Sequence, residues 1–197
     1  MWIPAKRLLD RHKQPPSRRE AVAEVSRRLR DEARATAGAD EASSASRLKE
    51  LRTRLAAEFG EVSSCGGCAR AYPRPAGAFA GGACCATATE RVFSDDEVSA
   101  LARAGTRPRH LRLPRGEHAG CAFRAPAGCT LNPAHRPNLC VRYVCVELSR
   151  ELYARGRLEL VEGLSDELED TFQRFAALRA ARRERELLAE IHPDLAG

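Results

Sequence analysis

The sequence predicts a mainly α fold arranged around an irregular, cysteine-rich centre with few or very short strands. Three observations carry this reading. Apolar residues recur at helical spacing toward both ends of the chain. Capping signals open and close those stretches. All eight cysteines fall between residues 65 and 145, where Gly and Pro break up any period.

The first helix is announced by Ser17-Arg18-Arg19-Glu20, a capping box in which the Ser hydroxyl accepts from a helix N–H and the Glu reaches back. Val22, Val25, Leu29 and Ala33 follow on one helical face, and Gly38 supplies the stop. The run GADEASSAS is expected to be a linker. Leu48, Leu51, Leu55 and Phe59 then make a second apolar stripe, closed by Gly60 at the C′ position. Two amphipathic helices joined by a short loop suggest an antiparallel hairpin, so residues 1–60 are assigned as a basic helical hairpin. Its outward arginines read as a solvated face in preference to a nucleic-acid contact.

Composition changes at SSCGGC, residues 63–68, and stays rich in Gly, Pro and Cys as far as Cys145. The interruption VFSDDEVSALARAG carries a second capping box, Ser94 to Glu97, with Phe93 placed to staple onto Val98. Asp95, Asp96 and Glu97 lie in the first turn, where the helix dipole favours them; capping is preferred to metal ligation for all three. Cys140 to Ala154 reads as a helix or strand–helix segment with Tyr143, Val144, Val146 and Leu148 apolar. Residues 61–148 are therefore assigned as a Cys-rich metal-binding domain and 149–197 as a C-terminal amphipathic helix. Ser165 is expected to cap that helix. Asp166, Glu167, Glu169 and Asp170 follow in its early turns, and Arg179, Arg182, Arg183 and Arg185 come in its later ones. Leu168, Phe172, Phe175 and Leu178 form its inward stripe, and RAARRERE reads as solvated.

A length of 197 residues suits one domain with extensions, and with 5% aromatic residues any core must be built from Leu, Val and Ala. The net charge of +6 permits an acidic partner, but it is nearly all Arg, with Lys only at positions 6, 13 and 49. Arg-over-Lys usage with abundant Ala and Gly fits a GC-rich genome, which discounts charge as a functional signal. MWIPAKRLLDRHKQPP has no apolar h-region, and no run approaches the ~18 apolar residues of a membrane span, so a cytoplasmic chain without a membrane partner is expected. There, thiols stay reduced and read as metal ligands rather than disulfides.

The candidate ligands are Cys65, Cys68, Cys84, Cys85, Cys121, Cys129, Cys140 and Cys145. Cys65-Gly-Gly-Cys68 is a knuckle whose small residues let both thiolates turn onto one ion. Adjacent Cys84 and Cys85 project their Cβ atoms in different directions, about 100° apart on a helix and opposite on a strand. Such a pair fits two ions, or several irons of one cluster, better than one tetrahedral ion. Eight thiols also equal two Cys₄ sets. Few apolar residues lie in 120–145, so thiolate–metal bonds are expected to replace a core there. Arg136-Pro137 reads as a rigid turn with Arg136 donating to a cluster sulfur or a neighbouring carbonyl. His118 and His135 are kept as reserve ligands.

CxxC, then CC, then an acidic-capped helix, then GC-F----GC-L----RP--C--Y-C resembles the YkgJ-type cysteine-cluster family over about residues 63–148. That resemblance implies a zinc- or iron-chelating domain whose cysteines correspond to Cys65, Cys68, Cys84, Cys85, Cys121, Cys129 and Cys140, with Cys145 matched less closely. The chain departs from the family in the fifteen residues between Cys68 and Cys84, a longer spacing that leaves a separate Cys65–Cys68 site open. The expected cofactor is an iron–sulfur cluster or zinc; the adjacency of Cys84 and Cys85 leans toward iron. Two other classes stay open. One is an iron–sulfur-dependent enzyme, since the resemblance extends to flagellin lysine methylases; no catalytic residue can be assigned for it. The other is a zinc-stabilised adaptor that binds nucleic acid or an acidic protein through Arg-rich helices, against which the scarcity of stacking aromatics counts.

Overall fold

In the computed structural model, residues 18–60, 89–113, 121–125 and 128–191 are described. Helix α1 (Arg18–Arg34) is followed by α2 (Ala39–Phe59), the short α3 (Thr89–Val92) and α4 (Asp95–Arg103). A two-stranded antiparallel ribbon, β1 (Arg124–Ala125) with β2 (Gly128–Cys129), pairs Arg124 with Cys129 and Ala125 with Gly128. Then come α5 (Asn138–Arg142), α6 (Val146–Ala154) and α7 (Leu158–Ile191), with 3₁₀ turns at Pro108–His110 and Pro133–His135. The described chain is thus mainly helical with two very short strands, as its periodicity predicts.

The stripe on α2 packs as expected: Leu48, Leu51 and Leu55 are wholly buried. At roughly 1.5–3 kcal/mol for each such side chain, they are a main source of the helix's stability. Gly60 ends the helix at φ +58, with its N–H donating to the Ala57 carbonyl at 3.0 Å. On α7, Val161, Leu164, Leu168 and Phe175 are buried. Together with α6 (Leu148, Leu152), Val141 of α5, and Ala100 and Ala104 of the α4 segment, these residues form one apolar cluster.

A second cluster collects Val25 and Leu29 of α1, Val92, Phe93, Val98 and Leu101, then Leu111, Cys121, Phe123 and Leu131. Helix α4 is the wall between the two clusters. Its positions 100 and 104, one turn apart, face the first, and 98, 101 and 102 face the second.

Four local expectations change. Residues 39–46 of the expected linker are the first turns of α2, and Ala45 is buried there. Gly38 in extended backbone precedes the helix, and Asp40 and Glu41 sit in its dipole-favoured first turn. The two N-terminal helices do not form a self-contained hairpin, because α1 buries its stripe in the second cluster and α2 in the first. Helix α7 begins at Leu158, not at Ser165, whose hydroxyl donates to the Val161 carbonyl at 2.8 Å inside the helix. The apolar spacing 161, 164, 168 already continued the stripe backwards.

The fourth change concerns RAARRERE, which is only partly solvated. Arg179 is 3% exposed and pairs with Glu32 of α1 (2.6 Å) and Asp96 of α4. Arg182 pairs with buried Glu41 of α2 at 2.7 Å. These arginines lie on the same face as Phe175 and so point inward (one turn separates 175 from 179). The Ser17 end of the first capping box lies outside the described residues.

Candidate metal centre

Cys65, Cys68, Cys84 and Cys85 lie outside the described residues, as does His118. Cys121, Cys129, Cys140 and Cys145 are described, and no disulfide joins any two of them. Three of these four share one neighbourhood: Cys121 is a buried member of the second cluster, and Cys129 and Cys140 pack against it. Cys145 packs against the first cluster instead. Among the described residues, no three His, Cys, Asp or Glu side chains converge as a ready metal site.

Short-range hydrogen bonds shape the backbone that presents the three thiols. The ribbon folds Cys129 back against the stretch that begins at Cys121. Its pairing continues outward through the Thr130 N–H, which donates to the Phe123 carbonyl at 2.9 Å. The Thr130 hydroxyl reaches the Arg112 carbonyl at 2.8 Å. Asn132 Oδ1 accepts from the Ala134 N–H at 3.0 Å, opening the Pro133–His135 turn. Arg136 Nε donates to the Leu131 carbonyl at 2.8 Å, the neighbouring-carbonyl role expected for it. Pro137 then precedes α5, and the Cys140 N–H returns to its carbonyl at 3.0 Å.

The expectation that residues 120–145 lack a core is corrected. Phe123 is wholly buried with its ring centroid 5.4 Å from that of Phe93, and Ala122, Leu131 and Val141 are buried too. Phe123 and Leu131 join the second cluster with residues of α1 and α4, and Val141 joins the first, so the segment borrows a core rather than doing without one.

Two buried polar links join this segment to the rest. The Ala122 N–H, next to Cys121, donates to Thr89 Oγ1 at 2.9 Å. Further along, Asn138 is gripped from two helices. Its N–H donates to Glu97 Oε1 at 2.8 Å, and its Oδ1 accepts from Arg52 Nε at 2.7 Å.

Glu97 therefore does not complete the capping box to which its spacing assigns it. Ser94 Oγ does accept from the Glu97 N–H at 3.3 Å, and Phe93 and Val98 are both buried, but the Glu97 carboxylate turns inward. Burial pushes that carboxyl up to about 7 despite the nearby Arg52 guanidinium. Asp95 and Asp96 face Arg28 and Arg179, so all three acids serve inter-helix contacts as well as the dipole.

Arg52 is wholly buried, whereas the sequence singles out only outward arginines on these helices. A signal was present: position 52 lies four residues after Leu48 and three before Leu55, within the apolar stripe.

His135 is committed elsewhere. Its Nδ1 lies 3.0 Å from Thr106 Oγ1, and its ring stacks on His110 with centroids 4.1 Å apart and planes 10° from parallel. Burial first, and then the neighbouring His110, hold His135 down to about 4, so it is neutral at pH 7. Near-parallel rings cannot both aim in-plane lone pairs at one ion, so the stack is not a two-histidine metal site. The sequence reading passed over His110.

Comparison of the chain with protein-family models, with curated proteins and with solved structures returned no match. Among the described residues, no helix is long and apolar enough to cross a membrane.

Proposed function

We propose that the protein is a metal-binding module of the YkgJ type. In this reading its cysteines hold an iron–sulfur cluster or zinc beside the second cluster. Thiolates supply the soft, anionic ligand set that either metal accepts. Cys121, Cys129 and Cys140 form the described part of that set. The remainder comes from residues 65–85, since the described thiols alone leave it incomplete.

The observation that carries the reading is the Thr89–Ala122 hydrogen bond of 2.9 Å. Thr89 follows Cys85 by four residues, and Ala122 follows Cys121 by one. Four residues span at most roughly 14 Å of chain, an upper bound that leaves Cys85 able to share an ion with Cys121. A hydrophobic role explains one buried thiol readily. It does not explain why two separate cysteine-bearing stretches are tied together at this point.

The test is anaerobic purification with an absorbance spectrum and elemental analysis, on the wild type and on Cys84→Ser and Cys85→Ser. Serine keeps the size but is a poor soft ligand. With two zinc ions, each single variant loses about one of two. With one iron–sulfur cluster, either variant loses colour and iron together. Unchanged metal content in both single variants and in the double variant would contradict the ligand role of the pair.

The adaptor reading draws less support, because Arg28, Arg52, Arg103, Arg179 and Arg182 all make contacts within the fold. Arg103, for example, donates to the Thr36 carbonyl at 3.0 Å beyond the end of α1. A filter-binding assay across a salt series separates the two readings, since phosphate contacts give a steep slope.

A further inference from the structure

Asn138 opens α5, the five-residue helix that carries Cys140, and it is 2% exposed. Three helices meet on it: α4 through Glu97 at its N–H, α2 through Arg52 at its side-chain oxygen, and α5 itself. Arg52 Nη2 lies 3.6 Å from Glu97 Oε2, so the two gripping groups are also an ion pair.

This arrangement is a poor way to gain stability alone. Arg52 is wholly buried and Glu97 nearly so, and well-packed apolar residues in place of a buried ion pair are often neutral or stabilising. Nη1 and Nη2 of Arg52, Oε2 of Glu97 and Nδ2 of Asn138 have no hydrogen-bond partner among the described residues. What a polar grip supplies and a greasy contact does not is register: the Glu97 oxygen holds the N–H of Asn138 in particular, and Pro137 before it has none to offer.

Register matters at this short helix. Cys140 packs against the second cluster and Val141 against the first. Each helical residue turns the chain by about 100°, so a slip that puts Cys140 in the place of Val141 turns its thiol from the second cluster to the first. Cys140 would then face the α2–α7 side, away from Cys121 and Cys129.

We propose that Glu97, together with Arg52, is a positioning pair that sets the register of α5 and so aims the Cys140 thiol at the metal centre. The proposal rests on the metal-centre reading for its purpose, but its geometric content, the direction of Cys140, can be judged without metal.

The experiment uses the full chain as wild type, Glu97→Gln and Glu97→Leu, with far-UV circular dichroism as the folding check. Two quantities are read: the alkylation rate of each thiol in metal-free protein, by mass spectrometry, and zinc affinity by chelator competition. Glu97→Gln keeps an oxygen that accepts from the Asn138 N–H, so it should stay near wild type in both. Glu97→Leu should raise the Cys140 rate and leave Cys145 unchanged. Its zinc affinity should fall by about tenfold to a hundredfold, the usual cost of losing an outer support of a ligand.

If Glu97→Leu does not fold, Asn138→Ala, which removes only the Arg52 contact, should move both readouts in the same direction by less. A Cys140 rate equal to wild type in whichever of these two variants folds would overturn the proposal, as would a Glu97→Gln variant that behaves like Glu97→Leu. If the wild type binds neither zinc nor iron, the metal-centre reading fails, and the Cys140 rates still decide the positioning claim.

Discussion

The two apolar clusters on either side of α4 are built on different terms. The α2–α7 cluster is made almost entirely of Leu, Val, Ala and Phe from helix stripes, and Cys145 touches only its edge. The cluster on the other side is bordered by three thiols, depends on the Phe93–Phe123 contact, and receives its chain through a two-residue ribbon and tight turns. The first is complete as an apolar core. The second has polarisable sulfur atoms at positions where the first has hydrocarbon. A single chain thus carries a conventional helical scaffold and, against one wall of it, an apolar cluster in and around which three thiols pack.

Mutations should separate the two sides. Leu51→Ala and Phe175→Ala each open a cavity among wholly buried neighbours. The expected cost is about 2–5 kcal/mol for the former and 3–5 for the latter in urea unfolding. That cost should be the same with and without a chelator, because no expected ligand lies in the interior of this cluster. A chelator-dependent cost would mean that the two sides are one unit.

Cys140→Ser should behave in the opposite way. With metal present at about 100 times its dissociation constant, binding adds roughly 2.7 kcal/mol to stability, and losing a ligand forfeits most of it. In chelator the same substitution should cost less than about 1 kcal/mol, since a half-buried thiol and a hydroxyl are similar in size. Equal costs under both conditions would assign Cys140 to packing.

Arg179 crosses the divide, tying α7 to Glu32 on α1 and Asp96 on α4. Arg179→Met should cost about 1–3 kcal/mol through the unpaired carboxylates left behind. Its effect should be independent of metal. A stability unchanged within error would show that Arg103 and Arg183, which also approach Glu32, compensate fully.

The net effect on the pH dependence of the wild type is small, because two groups oppose one another. His135 falls from 6.5 to about 4 on folding, so its contribution is present above pH 6.5 and lost as pH drops through 4. Glu97 rises from 4.5 to about 7, so its contribution is present below pH 4.5 and lost as pH climbs through 7. Relative to wild type, His135→Gln should therefore tilt stability toward acid between pH 4 and 6.5, and Glu97→Gln should tilt it toward base between pH 4.5 and 7. Thermal unfolding across this range reads both tilts, and parallel curves for all three proteins would contradict them.

How much of this was legible in the sequence follows from the same contrast. Stripes such as Leu48, Leu51 and Leu55 announce themselves because helical spacing and burial are one statement. Gly60 and Ser94 were legible for the same local reason: a cap is decided within four residues.

What failed depends on distant partners. Arg179 reads as solvated and Glu97 as a cap, and Arg52 goes unmarked, until a counterpart 45 to 147 positions away is known. The borrowed core around Phe123 was missed because the helices that supply it come from residues 22–29 and 92–102. Of the site, residue types and spacings were legible. The grouping of Cys121, Cys129 and Cys140 apart from Cys145 was not, since residues 140 and 145 are near neighbours in sequence but face different clusters.

The most direct measurement of the central claim is differential alkylation of the eight thiols in the native chain, with and without bound metal, resolved by mass spectrometry. Metal should protect Cys121, Cys129 and Cys140 together, along with Cys84 or Cys85, and stripping it should expose them in concert. If these thiols react at the same rates in the loaded and stripped protein, the cysteines are packing and the metal centre does not exist.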